Sequence, residues 1–136
     1  MKYTFCKRIY GFECDIYGHL NNANYLSLLE MARSEAMKEM NIPVSAMLEI
    51  GIQFFVYRCE LDFLQAINLE DTVTVKSWFF EMNRVKGRWQ QEVYNSQGEK
   101  CFSAILTIVF AGEGKAKRLP QEVFADIYQY LENNEA

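Results

Sequence analysis

Tyr25, Leu28, Leu29, Ala32, Ala36 and Met40 recur at spacings of three and four, a period that an α-helix turns into a single apolar stripe. Ser27, Ser34, Glu35 and Lys38 fall outside that stripe, so the helix has one face to bury. The spacing predicts a helix from Asn22 to Met40, about 27 Å long at 1.5 Å per residue. That length crosses a sheet of about five strands spaced roughly 4.8 Å apart. Ala32 and Ala36, small residues in mid-stripe, let a sheet approach closely. Asn41 and Pro43 end the pattern, and Val44 to Glu49 form a short turn before Gly51.

The remainder of the chain supplies the sheet. Ile52 to Phe63, Thr72 to Met82, Gly87 to Asn95 and Cys101 to Ala111 are rich in β-branched and aromatic residues, and breakers such as Asn95-Ser96-Gln97-Gly98 separate them. Lys2 to Asp15 reads as an earlier edge strand. Short connections imply antiparallel pairing. After Pro120, Val123, Phe124, Ile127 and Leu131 mark a short closing helix within QEVFADIYQYLENN. The predicted class is α+β, with an antiparallel sheet of about five strands, one long helix packed on it and a short C-terminal helix, all in a single domain over residues 1–136. The run CFSAILTIVFA is apolar on both faces. It predicts a central strand and a second sheet face that a further copy of the chain would cover.

A formal net charge of −4 argues against a nucleic-acid binder. Cys6, Cys14, Cys59 and Cys101 form no CxxC pair, and His19 is the one histidine. Neither a zinc site nor a redox motif is indicated, and no metal or cofactor is expected. MKYTFCKRIY contains no continuous apolar segment of the kind a secretory leader needs, and no apolar run is long enough to span a bilayer. A soluble cytoplasmic chain with free thiols is expected.

One short run stands apart from this framework. ECDIYGHLNNANY, from Glu13, crowds an aspartate, the histidine and three asparagines just ahead of the helix. Asn21 or Asn22 suits an N-cap, but a cap accounts for only one asparagine. Gly18 permits a tight backbone path. A helix start offers free N–H groups and about half a positive charge, suited to an oxygen that gains negative charge. A carboxylate beside such donors can act on an ester or thioester carbonyl, and Asp15 is the candidate, as direct nucleophile or as base for water. No GxSxG elbow is present, and a serine or cysteine triad would have to recruit His19. On a strand, Cys14 and Asp15 would point to opposite faces.

D-I-Y-G-H-L-N-N-A-N-Y followed by E-M-A-R resembles the D-x-x-G-H-x-N-N-x-x-Y and E-x-A-R pattern of hot-dog fold acyl-CoA thioesterases of the 4-hydroxybenzoyl-CoA thioesterase type. Weaker likeness extends to D-F-L-Q-A-I-N-L-E-D and K-R-L-P-Q-E. The resemblance implies a hot-dog fold and hydrolysis of an acyl-CoA or acyl carrier protein thioester. It puts the catalytic carboxylate on Asp15 and the oxyanion donor, a backbone N–H, near Asn22. His19 would orient the loop or polarise the thioester, and Tyr25 would line the acyl or pantetheine channel. Homodimers or homotetramers with sites at subunit interfaces are implied too. Family members often carry a proline and then a glycine before the third strand, where this chain has Ala66 and Glu70. A hydratase or dehydratase on the same fold, or a non-catalytic acyl-CoA-binding module, are the alternatives.

Arg84, Lys86 and Arg88, together with Lys115, Lys117 and Arg118, are candidates to meet the phosphates of coenzyme A. Glu30 and Arg33, one helical turn apart, are expected to pair with each other. Trp78, Phe79 and Phe80 are expected in core or interface.

Overall fold

The computed structural model describes residues 1–132. The long helix forms where its stripe predicts. A 3-10 turn over Asn22–Asn24 runs directly into α1, Tyr25–Glu39, and every residue of the predicted stripe is buried, with Met37 added. Asn41 then takes a left-handed conformation at φ 62. Its N–H reaches Lys38 O at 3.0 Å and that of Ile42 reaches Met37 O at 2.9 Å, the paired bonds that satisfy a helix's last carbonyls. The short α2, Val44–Glu49, ends the same way at Gly51, φ 73, where a side chain would be strained.

The strands are β1, Tyr3–Arg8; β2, Gln53–Phe63; β3, Thr72–Met82; β4, Lys86–Tyr94; β5, Lys100–Gly112; and β6, Lys115–Ala116. All pairs are antiparallel, in the order β1-β3-β4-β5-β2, with β6 added beside β5. The sheet thus has six strands where about five were expected, because two residues after the Glu113-Gly114 turn fold back on β5. Register shifts after Val56 and after Phe79 place bulges in β2 and β3, which increase local twist and help the sheet curve. The closing helix α3 covers Gln121–Tyr128. Leu131 lies past its end but still packs on the core, and Asn133 and Asn134 fall outside the described residues.

Phe102, Ala104, Leu106, Ile108 and Phe110 of β5 are all buried, facing the same core as the α1 stripe. Gln91, fully buried on β4, donates to Leu29 O of α1 and to Ser77 Oγ of β3, both at 2.9 Å. It pins helix to sheet with bonds that water cannot contest. The other face of β5 is less enclosed. Ser103, Ile105, Thr107 and Val109 are half-buried, and around them run the ion pairs Arg58–Glu60, Arg88–Glu60 and Arg88–Glu81. These ion pairs lie near Thr107, while Phe55 and Tyr57 beside Val109 stay exposed, so the face keeps apolar surface.

β1 also stops earlier than expected. The chain turns at Ile9, forms a 3-10 turn over Gly11–Glu13, and leaves Cys14 in an isolated bridge to Leu20 rather than in a continuous strand. The cause is Glu13, whose carboxylate is drawn inward to Lys7 Nζ at 2.6 Å and to Tyr10 N–H at 2.8 Å. The Lys7 and Glu13 side chains are 14% and 9% exposed. Glu70, in the position where the related family often has glycine, takes φ 68. Its N–H donates to Ile9 O at 2.9 Å, so the turn survives the substitution at a steric cost.

Two expected outcomes follow from these sites. Glu70→Gly should raise stability by about 1 kcal/mol by relieving the left-handed strain, since the Arg8–Glu70 pair it removes is solvent-exposed; chemical denaturation reads the change. Lys7→Met should lower stability by about 3 to 5 kcal/mol, because it strands a buried carboxylate, whereas Lys7→Met with Glu13→Leu should recover most of that loss. A double variant no more stable than the single one would show that the charge pairing is not what matters.

Candidate active site

Residues 14–20 form a small loop stitched to the segment ahead of β3. Leu20 N–H reaches Ile67 O and Leu69 N–H reaches Gly18 O, both at 2.8 Å, and His19 bridges Asn68. Inside the loop, Asp15 N–H donates to His19 O at 2.9 Å and Gly18 N–H to Asp15 O at 3.1 Å. Gly18 sits at φ 76, the left-handed turn that its lack of a Cβ allows. Asp15 Oδ1 accepts from Tyr17 N–H at 2.9 Å and His19 N–H at 3.4 Å. Oδ2 has no donor among the described residues. The carboxylate is thus gripped by one oxygen and offers the other.

Asp15, His19, Asn22 and Tyr25 line one pocket of about 280 Å³. The structure therefore brings these four predicted residues together. Their asparagine neighbours divide the work of the helix start. Asn21 is the cap, its Oδ1 accepting Ala23 N–H at 3.0 Å. Asn24 turns away and donates through Nδ2 to Glu13 O at 2.9 Å. Asn22 is exposed, and its N–H makes no hydrogen bond among the described residues. An open amide at the electropositive end of a 15-residue helix is a ready donor to an anionic oxygen.

The far wall of the pocket is Phe63, Leu64, Gln65 and Ala66, at the end of β2. It is fixed by Leu64 and Gln65 N–H groups donating to Cys101 O at 2.9 and 3.1 Å. Tyr25 packs 4.5 Å from Phe102 and 5.0 Å from Phe63, with Phe63 and Phe102 themselves 5.0 Å apart, so the two pocket-lining rings are backed by the buried Phe102. Burial, then nearby Cys101 and Asp15, push the Tyr25 hydroxyl above its ordinary value, keeping it a neutral donor. Sequence reasoning missed these four wall residues. The signal was the D-F-L-Q-A segment beginning at Asp62, which periodicity could assign to a strand but not aim at Asp15.

His19 is exposed, and among the described residues only its backbone is hydrogen-bonded. Cys14 donates to Tyr10 O. Burial, then the carboxylates of Asp15 and Glu13, push its thiol above the ordinary value, the reverse of what a thiolate nucleophile needs. The basic candidates lie elsewhere. Arg84 Nε donates to Leu119 O at 2.9 Å, and Arg88 is shared by Glu60 and Glu81. Lys86, Lys115, Lys117 and Arg118 are exposed. Lys86 pairs with Val109, whereas Phe63 pairs with Phe102. At about 3.4 Å per residue that separates the basic end from the pocket by roughly 24 Å along β5.

The expected Glu30–Arg33 pair is not formed, since no ion pair joins the two side chains among the described residues. Arg33 folds inward instead, into a crevice with Met37, Met47 and Phe54, and burial lowers its pKa. No group of three or more His, Cys, Asp or Glu that could hold a metal ion occurs among the described residues. No described helix is long and apolar enough to cross a membrane.

Comparison with known proteins gives this geometry a context. The thioesterase superfamily model matches residues 17–102. Acyl-CoA thioesterase YbgC of Haemophilus influenzae is 30% identical over 128 residues, covering 90% of this chain and 92% of that protein. Long-chain acyl-CoA thioesterase FadM of Escherichia coli is 27% identical over 103 residues, covering 75% of this chain and 77% of that protein. The crystal structure of DHNA-CoA thioesterase from Staphylococcus aureus superposes with a TM-score of 0.86 at 21% identity, covering 95% of this chain and 87% of that one. That likeness is one of fold, a hot-dog sheet and helix. With its fold and most of its length accounted for in this way, the chain belongs to the thioesterase superfamily.

Proposed function

We propose that this chain is a single-domain hydrolase that cleaves an acyl-CoA thioester to a free acid and a thiol, with Asp15 as the reacting carboxylate. The observation that carries the reading is the pairing, in one pocket, of the open Asp15 Oδ2 with the open Asn22 N–H at the head of α1. The thioester carbonyl carbon would sit between them. Asp15 attacks it, or takes a proton from a water that does, and the carbonyl oxygen, as it becomes an alkoxide, is received by the Asn22 amide and the helix start. Collapse of that adduct expels the thiolate, which takes up a proton; where Asp15 itself attacked, water then hydrolyses the acyl–aspartyl anhydride to the free acid and the restored carboxylate. The matched family span begins after Asp15, so its role leans on geometry and on the D-x-x-G-H motif. His19 orients the loop through its backbone, and its exposed ring is free to contact the thioester. Tyr25 bounds the acyl or pantetheine channel.

The free edge of β2 supports a second copy of the chain. It is 11 residues long, ends the sheet, and exposes Phe55 and Tyr57 at 57% and 71%, an edge that natural proteins seldom leave bare. Antiparallel pairing there would set the Lys86 and Arg118 end of one copy beside the Asp15 end of the other, close enough for those cations to meet a coenzyme A phosphate. A homodimer, or two such dimers in a tetramer, completes the site on this reading. The four free cysteines favour a reducing cytoplasm.

Asp15→Asn should lower turnover by at least about a hundredfold while circular dichroism and assembly mass stay unchanged; retained turnover removes Asp15 from the chemistry. Asn22→Pro deletes the amide at a first-turn position where proline is tolerated, with Asn21 already at φ −65 and ψ 135. It should cost about 10²- to 10³-fold in kcat, whereas Asn22→Ala, which keeps the N–H, should cost little. A thiol-release screen over acyl chain lengths, aryl thioesters and acyl carrier protein thioesters identifies the substrate. Sedimentation equilibrium at one-protomer mass would dismiss the second copy.

A further inference from the structure

We propose that Asn24, backed by the buried Lys7–Glu13 pair, is a positioning device that sets the gap between the Asp15 carboxylate and the Asn22 amide; the inference rests on the hydrolytic reading above. The two reacting groups sit on separate stretches of chain. Asp15 ends the approach from β1, and Asn22 begins the helix after the loop has doubled back. No hydrogen bond joins Asp15 to Asn22 directly.

Beyond the Cys14–Leu20 bridge and the bond from Asp15 N–H to His19 O, the two stretches are joined by the carbonyl of Glu13, two residues before Asp15. It accepts Asn21 N–H and Asn24 Nδ2–H, each at 2.9 Å, so its donors come from both sides of Asn22. Both lone pairs of that oxygen are used. Glu13 is itself immobilised. It is 6% exposed, its N–H donates to Tyr10 O at 3.0 Å, and its carboxylate holds Lys7 and Tyr10 N–H. Lys7 Nζ in turn donates to Arg8 O at 2.8 Å, tying the arrangement to the end of β1.

Asn24 is not serving as a helix cap. It makes no side-chain capping bond, that task falling to Asn21, and its amide points back across the loop instead. A half-buried amide directed at a preceding carbonyl is what closes a loop to a fixed width. Displacing a reacting group by about 1 Å can cost a hundredfold in rate, so the width of this closure bears on turnover more than on substrate affinity.

The test is Asn24→Asp, which keeps the side chain's size and removes the donor, with Asn24→Ala as a second variant should the aspartate impair folding. Against the thioester that the wild-type chain turns over best, kcat should fall by about ten- to a hundredfold with KM within about twofold. Hydrogen exchange at the Asn21 amide should quicken. In an Asp15→Asn background the same change should alter the residual rate by less than about twofold, since the group being positioned is gone. A folded variant with wild-type kcat, a loss confined to KM, unchanged Asn21 exchange, or an equal loss in the Asp15→Asn background would each overturn the inference. Failure of the hydrolytic reading is seen separately, as a wild-type chain that releases no thiol from any acyl thioester.

Discussion

Burial of one helical stripe governs this structure. The six apolar residues that α1 turns inward cannot stay in water, and a curved antiparallel sheet is the surface that accepts them. At about 25 cal/mol per Å² of apolar area removed from water, this contact outweighs any single polar interaction in the chain. Ala32 and Ala36 allow close approach, and the buried Gln91 amide, bonded to Leu29 O and Ser77 Oγ, fixes where along the sheet the helix lies. Once that is set, the direction of α1 is set too. Its first turn must stand at the end of the sheet where β2 finishes and β5 begins, beside Phe63 and Phe102.

The site is a consequence of that placement. Chain leaving β1 at Arg8 has to return to the head of α1 at Tyr25, and it does so by folding Asp15 through His19 into a loop whose backbone N–H groups grip one carboxylate oxygen. Electrostatics favours the location. The open amides of a helix start attract negative charge, and Tyr25 and Phe63 line the same pocket. Many chemistries share folds of this kind, so function is argued from the site rather than from the sheet. Here a gripped carboxylate and an open helix-start amide line one pocket in a chain of the thioesterase superfamily.

Much of this was legible in one dimension. The 3.6-residue period located α1 and named its buried residues correctly. The four later strands lie within about two residues of their expected bounds, because β-branched and aromatic runs between turn residues leave few alternatives. Asp15, His19, Asn22 and Tyr25 were grouped by the resemblance of their motif to that of hot-dog thioesterases, and a loop that short cannot separate them far. Residues that join the site through long-range pairing were invisible. Phe63 to Ala66 reach the pocket only because β2 pairs with β5, and Glu13 is pulled inward by Lys7, a partner with no periodic signature. Arg84 and Arg88 looked like free cations and are held within the sheet, by Leu119 O and by two glutamates. Charge alone does not tell a ligand contact from a structural one.

The sequence by itself determined the elements, the apolar face of the helix, and the crowding of polar residues at its head, since all three follow from local spacing and from how side chains project from a helix or strand. Only the tertiary structure decided that Arg88 is shared by Glu60 and Glu81, that Glu70 accepts a glycine's backbone angle, and that Asn21 caps the helix start while Asn24 bonds back to Glu13 O. Those outcomes depend on which distant groups come within hydrogen-bonding reach, a quantity set by the folded path of the whole chain and by no short stretch of it.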